Sequence, residues 1–70
     1  DAAEAYILDK AQAMGLELRA EVTLRLKDRY PVPWAARLYG SPTEQQRRTL
    51  SELLERDLGI PPDRQEWCGM

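Results

Sequence analysis

Acid–base chemistry in this 70-residue chain would have to come from 12 aspartates and glutamates, because it holds no histidine and a single cysteine, Cys68. Without histidine there is no Cys/His zinc centre and no Ser-His-Asp or Cys-His catalytic set, and a lone cysteine closes no internal disulfide. Two carboxylate pairs share a face: Glu52 with Glu55, one helical turn apart, and Glu17 with Glu21, on one side of an alternating run. Paired carboxylates do acid–base work only where burial or crowding drives their pKa values apart. These pairs sit among arginines on water-facing positions. Glu44/Arg48 and Glu52/Arg56 have the favourable i,i+4 order, worth about 0.2–0.5 kcal/mol each. They read as solvated ion pairs. Cys68 has no base to activate it. The residues therefore predict no catalytic group, no metal ligands and no cofactor.

Cations and aromatics are the remaining candidates. Ten Lys and Arg against 12 acids give a net charge of −2, with no stripe of one sign to draw the chain onto nucleic acid or anionic lipid. Acids interrupt every arginine cluster, including Arg47-Arg48. Arg19, Arg25, Arg37 and Tyr39 fall on the outward side of two alternating runs, and an exposed Tyr/Arg set is the composition that protein contacts favour. These four are the partner-binding candidates. Trp34 is in phase with Val32 and Leu38 and is expected in the core, and Trp67 as a lid over the core edge or a partner contact.

Elements must position these side chains. Ile7, Ala11 and Met14 recur at helical spacing, five alanines favour the helix, and Gly15 ends it, which predicts a helix over residues 2–14. Residues 16–27 alternate strictly, the period of a strand with one face in the core. A turn is expected at Asp28-Arg29-Tyr30-Pro31, and alternation resumes over residues 32–39 with Val32, Trp34, Ala36 and Leu38 inward. Pro33 has no N–H for a ladder, so that strand is expected to pair on one side only. For the second helix the spacing predicts Ser41 as N-cap, Pro42 at the first position and Glu44 closing a capping box. Leu50, Leu53, Leu54 and Leu58 form its apolar stripe, and Gly59 with Pro61-Pro62 ends it. Residues 64–68 suggest a short third strand. The expected fold is α+β, a two-layer sandwich in α-β-β-α-β order with both helices on one face of a three-stranded sheet. Leu18, Val22, Leu24, Trp34, Leu38, Leu50, Leu54 and Leu58 are its predicted core.

At 43% hydrophobic and 31% charged residues the chain is an ordinary folding sequence, short enough to be one small domain over residues 1–70. No run reaches the ~20 apolar residues of a membrane span. The chain starts at Asp1 without an initiator methionine, which predicts a segment excised from a larger protein.

Three stretches carry a family resemblance: Ala5-Tyr6-Ile7-Leu8, Pro31-Val32-Pro33-Trp34, and the run from Thr43-Glu44-Gln45-Gln46-Arg47 through Asp57-Leu58-Gly59-Ile60-Pro61 to Asp63-Arg64-Gln65-Glu66-Trp67. Over nearly its whole length the chain resembles the C-terminal domain of the stage III sporulation protein AF family of spore-forming Firmicutes. The resemblance implies a non-enzymatic module, similar to the ring-building motif of secretion systems, in a membrane channel complex between mother cell and forespore. Its implied partners are other proteins of that complex, with a second copy of itself as one candidate. The implied membrane attachment runs only through segments outside this chain. The alternative reading is a KH-like nucleic-acid-binding domain, whose element order overlaps with this one. Such domains clamp the backbone with a G-x-x-G loop, and Gly15, Gly40, Gly59 and Gly69 are never three apart.

Overall fold

A computed structural model describes residues 1–69. Its elements are α1 (Ala2–Ala13), β1 (Arg19–Lys27), β2 (Tyr30–Tyr39), α2 (Glu44–Leu58), a single 3₁₀ turn (Pro62–Arg64) and β3 (Gln65–Cys68). The fold is the expected α+β arrangement in α-β-β-α-β order. β2 is the middle strand, antiparallel to β1 and parallel to β3. Ile7 and Ala11 from α1, Leu50 and Leu54 from α2, and Ala20, Ala36 and Leu38 from the sheet form one buried cluster with Leu16 and Ile60. The opposite sheet face is left to water.

Local chemistry sets the boundaries. Asp1 caps α1 by accepting the Glu4 N–H at 2.8 Å. At the other end Gly15 takes φ 76°, which lets its N–H reach Gln12 O (3.0 Å) and the Leu16 N–H reach Ala11 O (2.9 Å). That paired closure satisfies terminal carbonyls and turns Leu16 into the core. β1 begins at Arg19, three residues later than alternation predicts. β2 has ended at Tyr39, so residues 16–18 have no strand to pair with. They run instead against Gly40, where an added Cβ would stand 2.9 Å from Glu17 O.

The N-cap of α2 is Thr43, not Ser41. The Thr43 hydroxyl accepts the Gln46 N–H at 3.1 Å, and the Gln46 side chain accepts the Thr43 N–H at 2.9 Å. A capping box does form, but two residues further on, leaving Pro42 before the cap and Glu44 in the first turn. Gln46 also donates to Met14 O at 3.1 Å, tying α2 to the end of α1. Gln65 stitches β3 to α2 by donating to Ser51 O (3.1 Å) and Ile60 O (2.9 Å).

The hairpin departs most from the expected pattern. Asp28 and Arg29 both have positive φ (51° and 73°), so Lys27 and Tyr30 face each other across a two-residue type I′ turn. Tyr30 and Pro31 thus belong to β2 rather than to the turn. A bulge interrupts the ladder: Thr23 pairs with Ala35, Leu24 pairs with Pro33, and Trp34 is the extra residue. Beyond it the phase of β2 inverts. Val32 joins the side of Arg25, Pro33 stands opposite Leu24, and Trp34 is half-buried rather than in the core. Leu24 is also outside the core at 45% exposure, because residues 24–33 form an arm extending past the helices in a molecule 37 × 21 × 21 Å. Leu18, Val22 and Leu58 pack at the core margin.

Both sheet edges near the arm are managed. Val22 donates its N–H to a Glu4 carboxylate oxygen at 3.0 Å, so even-numbered residues of β1 direct their amides away from β2. Pro33 and Pro31 stand opposite Leu24 and Leu26 in that same phase. Their missing N–H groups therefore fall on the side of β2 that β3, pairing only residues 36–39, leaves open.

Candidate docking surface

Cross-strand pairing assembles the open face. Arg19 lies opposite Tyr39 and Glu21 opposite Arg37, and odd positions of β1 share the water side of the sheet. The Tyr39 hydroxyl donates to Glu21 Oε1 at 2.7 Å, and the Arg19 guanidinium lies 4.4 Å from the Tyr39 ring centroid. Arg37 Nε donates to Glu66 Oε2 at 3.2 Å, carrying the network onto β3. Tyr39, then Glu66, raise the Arg37 pKa further above its ordinary value. Three of the four predicted residues, Arg19, Arg37 and Tyr39, thus meet in one network. Arg25 is not part of it.

Arg25 instead holds its guanidinium 4.2 Å from the Trp34 ring centroid, and Arg64 lies over the same ring at 3.6 Å. Arg64 is fixed in place: its Nε donates to Trp34 O at 2.8 Å and its Nη2 to Gly59 O at 3.4 Å. Periodicity placed Trp34 in the core, where it does not lie, and did not single out Arg64. The signal available was Pro31-x-Pro33, since prolines inside a strand accompany bulges and one-sided pairing. Trp67 is a half-buried lid against the core.

An open groove of about 690 Å³ runs over the sheet, reaching Glu21, Thr23, Arg37 and Glu66. A second, of about 500 Å³, lies between the arm and the end of α2. Among the described residues no three His, Cys, Asp or Glu side chains gather to hold a metal, and no helix is long and apolar enough to cross a membrane. The arrangement offers directed donors, acceptors and aromatic surface to another molecule. Compared with known proteins, the chain matches no family model, no curated protein and no solved structure. Fold and surface together define a small two-layer α+β domain with an open, charge-networked sheet face.

Proposed function

We propose that the chain is a non-enzymatic protein–protein assembly module that docks through its open sheet face. The observation that carries this reading is the network joining Arg19, Tyr39, Glu21, Arg37 and Glu66 across three strands, beside an arm exposing Leu26 (72%) and Tyr30 (73%). Such a face is too charged for a permanent apolar interface. It suits a contact set by complementary pairs around an aromatic anchor, held by high local concentration. The resemblance to the stage III sporulation protein AF family supports placing this module in a membrane channel complex between mother cell and forespore, anchored by segments outside this chain.

The test is Arg37→Glu with Tyr39→Ala in a spore-forming host carrying only that copy. Both side chains lie outside the core, so the melting temperature should shift by no more than about 2 °C while sporulation is lost. Full sporulation with the double variant would sink the reading.

A further inference from the structure

We propose that the groove between the β1–β2 arm and the end of α2 binds an acidic peptide segment carrying a large apolar side chain. This goes beyond the sheet-face reading, because the groove is a second surface that shares no residue with that network. Leu26, Trp34 and Leu58 give the groove apolar surface, and Arg25, Lys27 and Arg64 supply its charge. No carboxylate lines it. The contrast with the sheet groove is informative, since that one is lined by Glu4, Glu21, Asp63 and Glu66 and its Arg37 is already paired.

The charges of the arm groove are uncompensated. Among the described residues, Arg37, Arg47, Arg48 and Arg56 all have a carboxylate within ion-pair distance; Arg19, Arg25, Arg29 and Arg64 have none, and of these Arg25 and Arg64 line the groove together. Their guanidiniums stack on Trp34 instead, which holds them in place before any ligand arrives. A guanidinium offers a planar fork of donors that a carboxylate accepts in pairs, and stacking removes part of the ordering cost of binding. The volume of about 500 Å³ accommodates a few side chains, not a folded surface. An apolar ligand would desolvate three cations without a partner. A nucleic acid would seek a free aromatic face for stacking, and the face of Trp34 is engaged by guanidiniums. A peptide whose carboxylates reach Arg25 and Lys27 while one apolar side chain lies against Leu26 and Leu58 satisfies both halves.

The experiment is calorimetric titration of the chain with an eight-residue, end-blocked peptide alternating glutamate and leucine. The controls are the same peptide with lysine for glutamate, and an eight-nucleotide oligothymidine. The glutamate peptide should bind at least tenfold tighter than either control and weaken as salt is raised. Arg25→Glu with Lys27→Glu, both exposed on the arm, should weaken it at least tenfold at unchanged melting temperature. Arg37→Glu with Tyr39→Ala should leave it within twofold. Equal binding of the lysine peptide, tighter binding of the oligonucleotide, or no effect of the arm reversal would overturn the proposal. So would no binding of the glutamate peptide at millimolar concentration. If sporulation is nevertheless lost in the sheet-face variant, the groove alone is refuted and the module reading stands.

Discussion

Asp57, near the end of α2, accepts hydrogen bonds from Arg56 Nε at 2.9 Å and from the Tyr6 hydroxyl of α1. Arg56 foremost, and Tyr6 after it, hold its carboxyl down from an ordinary 3.8 to about 2. The lowered value sets the sign: the unfolded chain takes up the proton first, so the contribution is complete above pH ~4 and disappears as pH falls toward ~2. Asp57→Asn should therefore flatten the fall of melting temperature across that window and leave its slope above pH 5 unchanged, as followed by circular dichroism. Arg29 makes a different residue-scale prediction. A non-glycine residue at φ 73° is strained, so Arg29→Gly should stabilise the hairpin by about 1 kcal/mol in urea unfolding. Trp34 marks the limit of what single residues reveal. Period two places it in the core, but one extra residue in a strand reverses every later side chain, and nothing in Val32 or Trp34 themselves announces that extra residue.

Elements were more legible than their ends. Leucine spacing in α2 follows from burial of one face and the structure shows that burial, whereas alternation matches burial only over residues 19–22 and 36–39, and residues 23–27 are exposed throughout. The cap of α2 was not legible because Ser41 and Thr43 both offer a hydroxyl and both have an acceptor three residues on; the Gln46 contact to Met14 O decides between them in three dimensions. Leu24 was misplaced for a related reason: alternation tells which side a residue faces, not whether a helix reaches far enough to cover it. This gives a paired prediction. Leu54, fully buried in α2, should cost about 2–5 kcal/mol on change to Ala, a large part of the stability of so small a domain. Leu24→Ala, at 45% exposure, should cost less than about 1 kcal/mol. Similar losses for both in chemical denaturation would mean that the arm is packed after all.

At the scale of the whole molecule, balanced charge was readable from composition, because it depends on residue counts rather than geometry. Alternation put Arg19, Arg37 and Tyr39 on the outward side, but which of these side chains meet needed the strand register, since only register sets Arg19 opposite Tyr39 and Glu21 opposite Arg37. With no G-x-x-G loop and no stripe of one charge, binding to single-stranded RNA at physiological salt should be no tighter than about 10⁻⁴ M. Micromolar, sequence-dependent binding would favour the KH-like reading instead. The central claim is that contact with another protein runs through the open sheet face. Photo-crosslinking inside sporulating cells tests it directly, with benzoylphenylalanine in place of Tyr39 on that face and, separately, in place of Glu55 on the exposed side of α2. A discrete protein adduct from position 39 and none from position 55 is the expected result; adducts from position 55 alone, or to nucleic acid from position 39, would contradict it.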